Sequence, residues 1–423
     1  MWVVGLVFAL AACGSVTLGG GDAEPALEAP QEIVPAPKHT SRIETTPTPS
    51  EPAPPEPPPA DSEPAAEAPA PPLLRPPTAT IGAGTTPVAL LLPLSGPYAE
   101  LGQLLLDAAQ LALFDVAGED LEIRPYDTAS DPERAAEAAR AATAQGAVLV
   151  LGPVFGRTTT AAATAARERG IELVSYSNDR GVAGDGIYLM GLLPRQQIER
   201  VVTFANTQGI HRFAALIPDS AYGAAVLADL KTSLARTGGD LVAVETYRAD
   251  LADLDEPVRN VARVGPRNYD ALLVPEGGER LRAFAALLPY YNIHPELVRY
   301  VGTALWSDPT LGREPALVGG WFAGPSPELA RVFKQRFAAT YGRQPPRIAS
   351  LVYDSVALAA ALARQGDFSA TAISAASGFA GIDGIFRFGA SGAAQRGLAV
   401  IEVTADGFRV VSEAPTTFQA LAF

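Results

Sequence analysis

From Val88 onward the sequence repeats one pattern: a short apolar run, a turn with glycine or proline, then an alanine-rich amphipathic stretch. This alternation predicts parallel sheets covered by helices, because parallel strands need long crossover connections. The runs are continuously apolar, which predicts strands buried on both faces. The predicted strands are Val88–Leu92, Leu121–Tyr126, Ala147–Leu151, Ile171–Tyr176, Phe213–Ile217, Leu241–Tyr247 and Ala271–Val274.

The predicted helices have recognisable ends. Asp131 can cap the free amides of a helix whose first residue is Pro132. Gly146, Gly170 and Gly238 each stand between a helix-like and a strand-like stretch, which predicts the ends of three helices. Residues 87–423 are too many for one small core, so we predict an α/β fold of two doubly wound parallel-sheet lobes.

Residues 14–86 differ in composition from the rest of the chain. They contain 18 prolines, ten Asp or Glu, three Lys or Arg, and no aromatic residue. Such a segment cannot bury enough apolar surface to offset its ordering entropy, so we expect a disordered tether, partly polyproline II. Half of the net charge of -14 lies in this segment, and the rest of the chain contains no basic cluster. Nucleic acid is therefore not an expected partner.

The N-terminal residues predict that the protein is exported. The apolar run Trp2 to Ala9 is too short to span a bilayer and reads as a signal segment. It continues into Leu10-Ala11-Ala12-Cys13, which resembles the lipobox of bacterial lipoproteins. The resemblance implies removal of residues 1–12, acylation of Cys13 and membrane anchoring. Gly14, in place of the usual retention Asp, implies the periplasmic side of the outer membrane. The alternative for the only cysteine is a buried free thiol.

No pattern of catalytic residues is present. His39, His211 and His294 are isolated, and no metal-ligand spacing, nucleophile elbow or phosphate loop occurs. We interpret Asp127 and Asp131 as a turn residue and a helix cap rather than a carboxylate pair. The chain is therefore not predicted to be an enzyme, and no metal or cofactor is expected.

Several loops carry a resemblance to a known family. They are Leu94-Ser95-Gly96-Pro97, Tyr126-Asp127-Thr128, Gly152-Pro153, Ser175 to Asn178 and Asp219-Ser220-Ala221-Tyr222-Gly223. In this order they resemble type I periplasmic binding proteins of the branched-chain amino-acid branch. The resemblance implies a clamshell with a three-crossover hinge and a small ligand in the cleft. The lobes would comprise about 87–192 with 324–385, and about 193–323 with 386–423.

The family pattern also implies which side chains face the cleft. In the first lobe these are Ser95, Tyr98, Thr158, Ser175, Ser177 and Asn178, whose hydroxyls and amides suit a ligand carboxylate. In the second lobe, Tyr222 stands where the family places an aromatic ring over the ligand. The loop that carries an ammonium-binding acid in relatives reads Gly302-Thr303-Ala304-Leu305-Trp306 here. Glu276, Glu279 or Asp308 would have to replace that acid.

Aromatic residues give a further cleft candidate. Of Trp306, Trp321, Tyr290 and Tyr291, we expect Trp306 to line the cleft and the others to pack. Together with Glu276, it completes the predicted ligand set.

Two functions remain open. The segment Ala89-Leu90-Leu91-Leu92-Pro93-Leu94-Ser95-Gly96 and Val150-Leu151-Gly152-Pro153-Val154 resemble the penicillin-binding protein activator lipoproteins. That branch implies a tethered regulator whose partner is a peptidoglycan synthase, and we favour it because outer-membrane anchoring separates the chain from an inner-membrane importer. The alternative is a solute-binding receptor of an ABC importer for amino acids or related small molecules.

Overall fold

The computed structural model describes residues 85–117, 120–248 and 254–418. The predicted signal segment, the lipidation site Cys13 and all but the end of the predicted tether lie outside these ranges. Those predictions therefore stay predictions. The described residues form two lobes, each built on a sheet with a hydrophobic core on both faces.

The first lobe contains a five-stranded sheet in the order β2-β1-β3-β4-β5, parallel throughout. Its strands are β1 Thr86–Leu92, β2 Leu121–Asp127, β3 Leu149–Leu151, β4 Glu172–Ser175 and β5 Ile187–Leu189. Its first helices are α1 Ala99–Ala112, α2 Pro132–Ala144 and α3 Gly156–Arg167. Helix α1 covers one face, and α2 and α3 cover the other.

The second lobe contains a seven-stranded sheet in the order β15-β14-β10-β9-β8-β6-β7. Its strands are β6 Arg212–Pro218, β7 Asp240–Tyr247, β8 Ala271–Leu273, β9 Arg299–Gly302, β10 Trp321–Gly324, β14 Ala399–Thr404 and β15 Gly407–Ser412. Strands β6 to β10 are mutually parallel, whereas β14 and β15 pair antiparallel at one edge. Its helices are α4 Pro194–Thr207, α5 Ala221–Thr237, α6 Asp255–Val264 and α7 Gly278–Tyr290.

After β10 the chain returns to the first lobe. It forms α8 Pro327–Tyr341, α9 Ala349–Gln365 and α10 Ala370–Ile373, followed by an antiparallel sheet of β11 Phe379–Gly381, β12 Gly384–Phe388 and β13 Ala394–Arg396. The predicted boundary at 386 lies earlier than the observed third crossover at 397–398. The reason is packing, because Phe386, Phe388 and Ala394 belong to the core that contains β1.

The predicted α/β class and all seven predicted strands are confirmed, but two of these strands are not buried on both faces. In β1 the residues from Val88 to Leu92 are fully buried. By contrast, β2 and β7 lie at sheet edges and are mostly half-buried or exposed. Apolar content alone does not distinguish an edge strand from a central strand, since neighbours in the sheet decide burial.

The predicted helix ends are also confirmed. The Asp131 carboxylate accepts a hydrogen bond from the Arg134 amide at 2.9 Å, with Pro132 as the first helical residue. Gly146, Gly170 and Gly238 follow α2, α3 and α5 with φ values of 86°, 67° and 71°. These left-handed conformations cost glycine least, which is why the helices end there.

Candidate functional site

The junction between the lobes lies at the carboxyl ends of both sheets. Strand β5 ends at Leu189 and α4 of the other lobe begins at Pro194, while β10 ends at Gly324 and α8 begins at Pro327. Both short crossovers therefore join a strand end in one lobe to a helix start in the other. Loops that follow parallel strands meet at this edge, where ligands of open α/β sheets bind.

The loop after β1 is held by one carboxylate. Asp127 accepts hydrogen bonds from the amides of Leu94, Ser95 and Ala129 at 2.9, 3.1 and 2.8 Å. The Ser95 hydroxyl also donates to Asp127, at 2.5 Å. The predicted donor Ser95 therefore has an internal partner, and Asp127 acts as the turn residue that the sequence predicts.

Two aromatic rings lie close together at the same sheet edge. The rings of Tyr98, after β1, and Phe155, after β3, have centroids 4.8 Å apart and planes inclined by 51°. Tyr98 is 47% exposed, so this pair offers an apolar surface to a neighbouring molecule. Phe155 was not singled out from the sequence, although it lies in the Gly152-Pro153-Val154-Phe155-Gly156 loop.

Close packing explains the glycine in that loop. A Cβ atom at Gly152 would lie 2.2 Å from the carbonyl oxygen of Leu91 on the adjacent strand. A side chain there would clash with the backbone of β1, so glycine at this position reflects the close approach of two strands.

The predicted hydroxyl donors of the β3 and β4 loops are buried, and each has a hydrogen-bond partner within the first lobe. Thr158 Oγ1 donates to the carbonyl of Phe155 at 2.8 Å, in the first turn of α3. Ser175 Oγ lies 2.7 Å from Thr159 Oγ1 and donates to the Pro153 carbonyl at 3.1 Å. Ser177 Oγ accepts from the Asp179 amide at 3.0 Å. Ser175 therefore fixes the loop after β4 to the loop after β3, whereas Thr158 and Ser177 bond to residues two or three positions away in the chain.

The side chains of Asn178 and Asp179 differ from these hydroxyls in their surroundings. Asn178 is exposed, and its side chain makes no hydrogen bond with any residue that the structure describes. The Asp179 side chain lies against Gly156 so closely that a Cβ there would be 2.8 Å from Asp179 Oδ2. A carboxylate thus already occupies the space beside the start of α3, where a ligand carboxylate would otherwise be favoured.

In the second lobe, Tyr222 lies in the first turn of α5, after the Ser220 cap. Its hydroxyl is 3.0 Å from Thr303 Oγ1, beyond the end of β9. Burial, together with the nearby negative charge of Glu276, raises the pKa of Tyr222 to about 12, so the hydroxyl is neutral and can donate. Thr303 was missed as a partner because it is distant in sequence.

Glu276 follows β8 and is 4% exposed. It accepts a hydrogen bond from the Tyr247 hydroxyl at 2.8 Å, and its Oε2 lies 3.1 Å from Arg280 Nε, one helical turn later. Burial and the Glu276 charge raise the pKa of Tyr247. The acid therefore already has a cationic partner within its own lobe. Neither Arg280 nor Tyr247 was identified from the sequence.

Trp306 is a core residue and not a cleft residue, contrary to the prediction. Its side chain has no exposed surface, and Nε1 donates to the Val274 carbonyl at 3.0 Å. A Cβ on Gly302 would lie 2.2 Å from the indole, so glycine at that position accommodates the ring. Sequence alone does not reveal this pairing.

The other two candidate acids, Glu279 and Asp308, have surroundings unlike those of Glu276. Glu279 is exposed at the start of α7. Asp308 caps a short helical turn at Thr310 and pairs with Arg282 Nη2 at 2.9 Å. Within the described ranges no group of three or more His, Cys, Asp or Glu residues is placed to hold a metal ion.

Among the residues that the structure describes, one ion pair crosses from lobe to lobe. Arg180, in the loop after β4, lies 3.1 Å from Asp229 in the middle of α5. The Asp229 side chain is only 9% exposed, whereas that of Arg180 is 40% exposed. At the hinge, Gln196 of α4 donates to the Ala394 carbonyl and accepts from the Arg396 amide.

Two doubly wound lobes with facing strand ends and three crossovers define the clamshell class of binding proteins. Residues 85–408 match the family model described as periplasmic binding protein, and the chain belongs to this family. None of the described helices has the length and apolar character needed to cross a membrane.

Solved structures share the fold. A putative branched-chain amino acid ABC transporter protein from Rhodospirillum rubrum is 20% identical to this chain, with a TM-score of 0.69. The match covers 77% of this chain and 100% of the Rhodospirillum rubrum chain. A solute-binding protein of an ABC transporter from R. palustris, in complex with benzoate, is 20% identical with a TM-score of 0.57, covering 79% and 97%. At such identity the likeness concerns the fold.

A curated relative matches in part. An uncharacterised protein of Rickettsia prowazekii (strain Madrid E) is 25% identical over 177 residues, which are 41% of this chain and 47% of the relative. The chain thus spans about half the length of that protein.

Proposed function

We propose that this chain is a solute-binding receptor that holds a small molecule between its lobes for an ABC importer. The supporting observation is the Tyr98–Phe155 pair at the carboxyl edge of the first sheet, in which Tyr98 is 47% exposed. Asn178, in the loop after β4 of the same sheet, is exposed and makes no side-chain hydrogen bond among the described residues. The relatives with this fold are named as ABC transporter proteins. This makes the receptor a better-supported function than the synthase regulator that the sequence favoured.

The surroundings also suggest the kind of solute. Free α-amino acids carry an ammonium group that needs an acidic partner, but Glu276 is already paired with Arg280. A small molecule with an apolar or aromatic body fits better, because ring packing against Tyr98 and Phe155 does not require free charges. The R. palustris protein is described in complex with such a compound, benzoate.

A thermal-shift screen of amino acids and aromatic acids tests this proposal. A ligand present at 100 times its dissociation constant stabilises the fold by about 2.7 kcal/mol. We expect a hit whose affinity falls about tenfold in Tyr98→Ala, since an aromatic contact and its buried area are lost. Tyr290→Ala, a tyrosine 73% exposed at the end of α7, is the control and should bind normally. Equal binding by both variants would contradict the assignment of the site.

Regulation of a penicillin-binding protein is the second candidate function. It is favoured by the engaged hydroxyls and the paired Glu276, which leave few free groups for a polar ligand. Periplasmic location suits both functions, and anchoring through Cys13 at the outer membrane would suit the second. Stimulation of glycan polymerisation by the full chain, together with a flat thermal-shift screen, would favour the regulator over the receptor.

A further inference from the structure

A cavity of about 550 Å³ lies beside the crossover from β10 to α8. None of the nine residues predicted for the cleft lines it. The first lobe contributes one side of α8 and the residues before α9, and the second lobe contributes the edge of its sheet. The volume falls within the range of small-molecule sites.

Apolar side chains form the second-lobe wall. Phe322 of β10, Ile401 of β14 and Phe408 of β15 line the cavity, and the Phe322 and Phe408 rings pack edge to face at 5.3 Å. Ala338 of α8 lines the opposite side, and Pro325 and Pro327 line it at the crossover. Rigid aromatic and proline walls suit an apolar body of modest size.

The charged lining is predominantly basic, although the whole chain has a net charge of -14. Arg331 is paired with Glu328, but Lys334 is exposed and has no ion pair among the described residues. Arg347 bonds to the fully buried Asp383 through Nη1 alone, at 3.0 and 3.2 Å. Its Nε and Nη2 make no hydrogen bond within the part of the chain that the structure describes.

We propose that this cavity binds a small organic anion with an apolar body, such as an aryl or alkyl carboxylate. The carboxylate would be held by Lys334 and the free edge of Arg347, and the body would pack on Phe322 and Ile401. Because its walls come from both lobes, an occupant favours one lobe arrangement over others. The inference is independent of the solute proposed for the cleft.

Titration calorimetry of the full chain with 4-phenylbutanoate tests the proposal, with 4-phenylbutan-1-ol as the uncharged analogue. We expect saturable binding of the acid and weaker binding of the alcohol. Lys334→Glu should weaken binding of the acid about tenfold, since a favourable charge contact becomes repulsive. Lys231→Glu is the matched control, because Lys231 is also an exposed lysine, lies on α5 and does not line the cavity.

Ala338→Trp fills the cavity from α8 without removing a packed side chain and should abolish binding. Circular dichroism and a denaturation curve check that this variant is folded. No saturable binding by the wild-type chain would overturn the proposal. So would binding that survives Ala338→Trp but is lost in Tyr98→Ala, since the acid would then occupy the cleft and support the proposed receptor function instead.

Discussion

At the scale of single residues, Asp127 decides the shape of the loop after β1. Burial alone would raise its pKa, but hydrogen bonds from the Ser95 hydroxyl and from the amides of Ala129, Ser95 and Leu94 stabilise the charged form more, and the pKa of Asp127 is lowered. A group whose pKa is lowered on folding stabilises the protein above its ordinary pKa. That contribution is lost as the pH falls through the lower, folded-state pKa.

We therefore expect Asp127→Asn to reduce the free energy of unfolding by about 1 kcal/mol at pH 7, because charge-assisted bonds become neutral ones. Between pH 6 and the folded-state pKa, the wild-type protein should lose more stability than the variant. Urea denaturation across this range measures both effects. Asp240→Asn, at the exposed start of β7, is the control. Parallel pH profiles of wild type and Asp127→Asn would contradict the prediction.

At the scale of elements, helix starts determine where the loops at the lobe junction point. Helix α2 begins with a side-chain cap at Asp131 and an acidic residue, Glu133, in its first turn. Helix α3 has no side-chain cap at Phe155, although Thr158 and Thr159 both donate to the Phe155 carbonyl. The two helices pack on the same face of the first sheet.

Removal of the α2 cap gives a test at this scale. Asp131→Ala should destabilise the protein by about 1 kcal/mol, because the Arg134 amide loses its acceptor. Asp131→Ser keeps a capping oxygen and should lie close to the wild type. Chemical denaturation midpoints at constant m-value measure the difference. Equal losses in both variants would mean that the cap contributes nothing to stability.

At the scale of the whole molecule, the Arg180–Asp229 pair links the lobes away from the hinge. Asp229 lies largely buried, and burial raises its pKa even though Arg180 opposes the shift. An ion pair with one exposed partner adds little to folding stability. Its larger effect is on the relative position of the lobes, since breaking it requires no unfolding.

We predict that Arg180→Ala shifts the lobes toward open arrangements about two- to fivefold in population, as expected for an interaction of about 0.5–1 kcal/mol. Spin labels at Glu137 of α2 and Lys231 of α5, in a Cys13→Ser background, report the distance distribution. Arg236→Ala breaks an ion pair to Glu199 within the second lobe and serves as the control. An unchanged distribution in Arg180→Ala would show that the pair does not hold the lobes together.

Sequence alone determined the strands, the helix caps and the two-lobe α/β class, because each depends on residues close together in the chain. The apolar runs of the first strand and the Asp131-Pro132 start needed no distant partner to be interpreted. Sequence also located the loops at the lobe junction, since loops after parallel strands share an edge.

Only the tertiary structure decided what the side chains in those loops do. Ser175 bonds to Thr159, Glu276 pairs with Arg280 and Tyr247, and Trp306 fills a space left by Gly302. The third crossover was displaced because Phe386 and Phe388 pack in the first-lobe core. Side chains that the sequence presents as available hydrogen-bond donors have partners in the fold, because buried polar groups need them. Those partners come from elements that are distant in the chain. Residue type therefore indicated the kind of site, and packing decided which groups remain available to a ligand.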